Sequence, residues 1–222
     1  MQTQTLSAKR IDTKRLVILS IFAAIAFIVA LLKIKVFTPY LSLEFKSTII
    51  AIAGFIFGPS AVIFISVPVC FLEMFTGDTG FIGAFMNIIA TISFALPAAL
   101  MYKKSRTLSS AVTGLIIGTA ALTVLMILWN YIITPFYTGM PREVIAGMLL
   151  PVFAPFNILK GSLNASLTFL LYTPLIKGLR AAKLIPPSEK EEVINQKSAV
   201  TANIIAGVIM LAGIIVLVIF KK

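Results

Sequence analysis

The chain has no histidine, one cysteine (Cys70) and only eight acidic residues in 222 positions. The missing imidazole removes the commonest general base and a frequent metal ligand. A single thiol excludes an intramolecular disulfide. There is neither a Walker A motif nor a Gly-rich phosphate loop. Together these absences weigh against a membrane protease, a metalloenzyme or a self-powered pump, so the chain reads as a non-enzyme without a resident cofactor. Charge is scarce as well. Soluble domains carry about 25% charged residues, and this chain carries 12%, with 59% hydrophobic residues and a mean hydropathy of +1.04. That composition belongs to the membrane class. The net charge of +11 does not point to nucleic acid, because the basic residues cluster between apolar runs, as membrane topology requires.

A spanning helix needs about 20 apolar residues. Residues 16–32, 81–101, 108–133, 148–176 and 200–220 meet this requirement. The first follows a basic stretch but lacks a small-residue cleavage site, so it reads as an uncleaved span. The run 41–75 is long for one helix and short for two, with Gly58-Pro59 at its centre. Basic clusters stand at 9–15, at Lys103, Lys104 and Arg106, and at Lys177, Arg180, Lys183 and Lys190. If all three are cytoplasmic, an even number of spans separates each pair. That parity splits the run into two short helices, 41–57 and 60–75, joined by a tight inner turn. The expected organisation is a cytoplasmic N-terminus (1–15), a six-helix membrane domain (16–183), a polar linker (184–199) and an additional transmembrane helix (200–220). Outer loops are expected at 33–44, 77–80 and 134–147.

The polar residues inside these apolar runs are the functional candidates. A lysine at a helix centre costs about 2.5–3.5 kcal/mol on insertion scales and must snorkel, pair or serve a ligand. Asn157, Lys160 and Asn164, spaced i, i+3, i+7, share one helical face. Gly161 permits close approach, and Pro151 and Pro155 loosen the outer end of that helix. Asn130 and Asn87 lie at a similar depth on neighbouring spans. Neutral amides with one cation suit a planar heterocycle bearing carbonyl and N–H groups. Asparagines also glue membrane helices together, and Lys160 has two potential acidic partners, Glu44 and Glu73. Trp129, Tyr131 and Tyr137 fit an interfacial belt, and Tyr131 is placed to stack on a ring. In the first span, Ser20-x-x-x-Ala24 and Ala26-x-x-x-Ala30 are small-residue pairs suited to helix contact, within the bundle or with a partner.

Three stretches then carry a resemblance: Leu-Ser-Leu-Glu-Phe (41–45) with Phe-Gly-Pro (57–59), Leu-Trp-Asn-Tyr…Thr-Pro-Phe-Tyr (128–137) and Pro-Phe-Asn-Ile-Leu-Lys-Gly (155–161). In order and spacing, residues 14–183 resemble the riboflavin-specific S components of energy-coupling factor (ECF) transporters. The resemblance implies an all-α integral membrane protein, a six-helix S-component bundle, here with an extra C-terminal transmembrane helix. It implies capture of riboflavin at the outer face of a bacterial plasma membrane. The partners would be a transmembrane T component and two ABC-type ATPase subunits. Asn130, Asn157 and Lys160 would hold the isoalloxazine ring, with Asn87, Tyr131 and Asn164 nearby. The first outer loop, with Tyr40, Leu43 and Glu44, would cap the ligand. Ser20, Ala24 and Ala26 would face the T component. The family commonly reads Asp-Phe-Ser-Asp where this chain has Glu44-Phe-Lys-Ser, and a Lys-Asn pair where it has Val69-Cys70. Another flavin such as FMN, another vitamin, or ion-coupled secondary transport through Glu73 are the alternatives.

Overall fold

The computed structural model describes residues 13–35, 41–76, 80–184, 204–213 and 215, without the side chain of Tyr137. The expected site residue Tyr40, the turn 77–79, nearly all of the N-terminal stretch and of the polar linker, and both ends of the last apolar run lie outside the described residues.

The described chain is helical apart from one short hairpin. Its elements are α1 (Thr13–Leu31), β1 (Ile34–Lys35), β2 (Ser42–Leu43), α2 (Lys46–Phe57), α3 (Pro59–Leu72), α4 (Gly80–Ser105), α5 (Leu108–Thr138), α6 (Arg142–Met148) and α7 (Ala154–Ala181). A further helix, α8, spans Ile204–Gly213. Strands β1 and β2 pair antiparallel, with Ile34 opposite Leu43. Among the described residues, four helical runs are long and apolar enough to cross a membrane: Thr13–Leu31, Gly80–Ser105, Leu108–Phe136 and Arg142–Ala181. The outer faces of the bundle expose large apolar side chains, such as Ile21 and Ile28 on α1, Phe64 and Phe71 on α3 and Ile116 on α5. Such a surface suits contact with lipid rather than water.

The turn read at Gly58-Pro59 is real. Gly58 adopts φ 91°, which glycine alone tolerates readily, and Pro59 occupies the first turn of α3. The Arg15 guanidinium donates to the Phe57 carbonyl at 2.7 Å, satisfying a terminal acceptor of α2. Lys14 Nζ donates to the Lys183 carbonyl at 2.8 Å. The start of α1, the α2–α3 turn and the end of α7 therefore meet at one end of the bundle. The hydroxyls of Tyr102 and Tyr172, 2.5 Å apart, tie α4 to α7 towards the same end.

The expected loop at 134–147 is largely helical. α5 runs through Pro135 to Thr138 and stops at Gly139, φ 69°, whose N–H bonds the Pro135 carbonyl. α6 begins three residues later. A π-helical turn, Leu149–Phe153, then joins α6 to α7. Pro151 sits inside that wide turn and Pro155 in the first turn of α7, where a missing N–H is tolerated.

The two small-residue pairs of α1 lie on different faces. Ala26 and Ala30 are fully buried in the bundle, whereas Ser20 and Ala24 are exposed. The expectation that Ala26 faces a partner is therefore corrected. At 100° per residue, a position two along from Ala24 points to the other side. A tighter pair went unnoticed in the sequence. Gly114 and Gly118 of α5 face Ala98 and Phe94 of α4, and a Cβ added at Gly118 would fall 2.1 Å from the Phe94 carbonyl oxygen. Backbone cannot yield as a side-chain tip does. Gly118→Val should therefore destabilise the protein by about 3 kcal/mol or prevent folding. Gly147→Ala, whose Cβ meets nothing within 4 Å, should leave the thermal midpoint in detergent unchanged or raise it slightly.

Candidate functional site

The site follows from one short helix. α2 has 12 residues, about 18 Å of rise against about 30 Å of hydrocarbon core. Its C-terminus is held at the bundle end by Arg15. Its N-terminus therefore stops inside the fold and carries Glu44 and Lys46 inward with it. Glu44 and Lys46 are 3% and 1% exposed.

A buried ammonium costs several kcal/mol unless it is paired. Lys46 Nζ lies 2.8 Å from Glu44 Oε2 and also bonds Glu73 Oε2. A cation in the first turn of a helix opposes the helix dipole, so both carboxylates are needed to hold it. Glu73, just after α3, also accepts a hydrogen bond from Asn87 Nδ2 of α4 at 2.8 Å. Lys160 of α7 approaches the same Glu44 oxygen at 3.9 Å. A line of groups thus runs Lys160–Glu44–Lys46–Glu73–Asn87 through four elements. Of the two acids open to Lys160 in the sequence, Glu44 is the one beside it. Glu73 belongs to Lys46.

Asn157, Lys160 and Asn164 do share a buried face, but they do different work. The Asn164 side chain accepts from the Thr48 N–H at 3.0 Å and from the Thr48 hydroxyl at 3.0 Å. Its Nδ2 donates to the Glu44 carbonyl at 3.0 Å and to the Lys160 carbonyl at 2.9 Å. It clamps the start of α2 onto α7 and so fixes the height of Glu44. Asn130 Nδ2 donates to the Met126 carbonyl at 2.7 Å and its oxygen accepts from Thr134. Asn157 Nδ2 donates to the Phe153 carbonyl at 2.7 Å. Both amides are bonded back onto their own helices.

These residues converge on a cavity of about 30 Å³ lined by Leu41, Ser42 and Glu44, by Met86, Asn87 and Ala90 of α4, by Met126 and Asn130 of α5 and by Phe156, Asn157 and Lys160 of α7. Five expected site residues meet there: Glu44, Asn87, Asn130, Asn157 and Lys160. Leu43 is buried beside it, in a cluster with Ile145, Phe153 and Phe156. Asn164 acts from behind, through the clamp. Tyr131 stands apart. It is exposed on the outer face of α5, with the Arg142 guanidinium 5.6 Å from its ring centre. Asn130 faces inward, so its neighbour turns about 100° away. The residue that sequence reasoning missed is Lys46. Its signal was a lone cation within an apolar run, the same signal that marked Lys160. A larger apolar cavity, about 660 Å³, lies between α5, α7 and α8; its polar lining residues are Thr119, Thr123, Ser162 and Ser166, with no amide or charged side chain among them.

A family model described as the substrate-specific component of ECF transporters matches residues 14–172. The riboflavin transporter RibU of Staphylococcus aureus is 35% identical over 182 residues, covering 76% of this chain and 94% of that protein. The riboflavin transporter FmnP of Bacillus subtilis is 32% identical over 191 residues, covering 77% and 98%. The solved structure of the S component of a bacterial ECF transporter superposes with a TM-score of 0.66 at 34% identity, covering 76% of this chain and 98% of the other. The helix α8 lies beyond the region that the family model matches.

The clamp yields a direct test. Asn164→Leu should cost about 1–3 kcal/mol, because buried polar groups at Thr48 and Glu44 lose their partner. Amide exchange at Thr48 should accelerate at least severalfold. Unchanged protection at that amide would refute the clamp.

Proposed function

Because the chain belongs to the substrate-specific components of ECF transporters, we propose that it captures riboflavin at the outer face of a bacterial plasma membrane and passes it to a transmembrane T component driven by two ATPase subunits. The observation that carries the substrate is the pocket between α4, α5 and α7. Amides of Asn87, Asn130 and Asn157 and the Lys160 ammonium converge there, under Leu41–Glu44. A flat ring with acceptors and N–H groups on one edge matches that set, since each amide both donates and accepts. The names of the two relatives at 35% and 32% identity support the same ligand.

Cavities that bury small ligands measure about 300–1,000 Å³, so a pocket of about 30 Å³ is a closed form. In our reading Leu41–Leu43 shift to admit the ring, while Glu44 stays on Lys46 and Asn164. Asn130 and Asn157 then turn their amides from their own backbones to the ligand, and Lys160 exchanges Glu44 for a ring carbonyl. Leu43 moves with this cap. Ser20 and Ala24, on the exposed face of α1, are the contact proposed for the T component.

The bundle proposed is of six membrane passes, α1, α2, α3, α4, α5 and the α6–α7 run, with α8 as an added seventh. Lys14, Arg15, Lys103, Lys104 and Lys183 lie towards the end where α1 starts, α4 finishes and α7 finishes. By the positive-inside rule that end is cytoplasmic, which sets the pocket towards the outside.

The purified protein should quench flavin fluorescence stoichiometrically, and colourless protein that leaves flavin emission unchanged would sink the substrate assignment. Lys160→Ala should weaken binding by about tenfold or more, the value of a charge-assisted hydrogen bond. Equal affinity would remove Lys160 from the site.

A further inference from the structure

Two ammonium groups compete for one oxygen. Glu44 Oε2 lies 2.8 Å from Lys46 Nζ and 3.9 Å from Lys160 Nζ. The first distance is that of a full ion pair. The second is beyond a hydrogen bond. Lys46 is buried to 1% and cannot drift off, because its other side is bound to Glu73, which Asn87 holds in turn. Asn164 fixes the backbone of Glu44 from the other side through its carbonyl. The carboxylate is thus pinned on Lys46, and Lys160 keeps only a loose contact with it. The two acids and two lysines of the group sum to zero charge.

We propose that Lys46 is a positioning residue for ligand recognition: by holding the Glu44 carboxylate it keeps the Lys160 ammonium available to the ligand. This inference rests on the reading of the pocket as a flavin site. Without Lys46, Lys160 would be the nearest cation left to Glu44 among the described residues. Glu44 would close onto Lys160 at full ion-pair distance, and a neutral ring carbonyl would have to displace a buried carboxylate. Lys46 touches no lining surface of the pocket itself, so its effect is transmitted through Glu44. Glu73 and Asn87 brace Lys46, and they join a second wall of the pocket to the first.

Removing Lys46 alone strands two buried carboxylates and threatens the fold. The test therefore uses Lys46→Met with Glu73→Gln, which keeps the remaining charges balanced. That double variant should keep a thermal midpoint within a few degrees of the native protein but bind riboflavin at least about tenfold more weakly, by fluorescence quenching. Adding Glu44→Gln removes the competing acid and should recover most of the lost affinity. A merely structural Lys46 predicts native affinity in the folded double variant, and that result overturns the proposal. So does failure of Glu44→Gln to restore binding. Should the double variant not fold, Glu44→Gln alone decides. The proposal expects about threefold tighter riboflavin binding, because the ligand loses its nearest competitor for Lys160, and a tenfold loss would refute it. If the native protein fails to quench flavin at all, the flavin reading falls with everything built on it, an outcome distinct from normal quenching by the variants.

Discussion

The Lys46 ammonium, shared between Glu44 and Glu73, is the contact around which the rest of the site is arranged. It solves a problem that the sequence itself creates. A short helix starts within the membrane domain and carries a cation in its first turn, where the dipole disfavours it. Two carboxylates from different segments offset that cost, and each is held by an asparagine: Glu73 by the side chain of Asn87, Glu44 through its carbonyl by Asn164. The same arrangement ties α2, the end of α3, α4 and α7 together at the level of the pocket. Breaking one member leaves an uncompensated buried charge, so the cluster acts as a unit.

The other end of the bundle has a different chemistry. There the helices meet through terminal carbonyls capped by Arg15 and Lys14, and through the tyrosine pair Tyr102–Tyr172 packed with Phe55. The bundle is thus anchored at one end by capping and aromatic packing, and at the other by ions and amides. Between them α4 and α5 form the closest helix contact, with Gly118 against the Phe94 backbone.

Much of this was legible in the sequence because composition and charge placement act at long range. Parity of the basic clusters separates α2 from α3, and Gly58-Pro59 locates the turn. The polar face Asn157–Lys160–Asn164 was visible from its spacing. Other features depended on packing that spacing does not encode. Ala24 and Ala26 look alike in the sequence, and only the rotation of α1 sends one outward and the other inward. Tyr131 follows Asn130 and so turns away from the pocket on which Asn130 opens. The helical continuation through Pro135 defeated the expectation of a loop, because the stop at Gly139 depended on its left-handed conformation. Lys46 was read as a departure from a family pattern. Its importance emerges when Glu44 and Glu73, 29 residues apart in the chain, are seen to meet on it.

α3 and the single turn that follows it, Pro59–Phe75, are 17 residues long, about 25 Å of helix. Phe64, Val67, Phe71 and Leu72 expose that length to lipid. That is several ångströms short of a hydrocarbon core of about 30 Å, a mismatch that costs fractions of a kcal/mol per ångström. A bilayer that thins to match this flank would dimple beside the Glu73 end of the helix. Because Glu73 holds Lys46, a headgroup layer lowered there would bring water nearer to the ion cluster than the depth of the fold suggests.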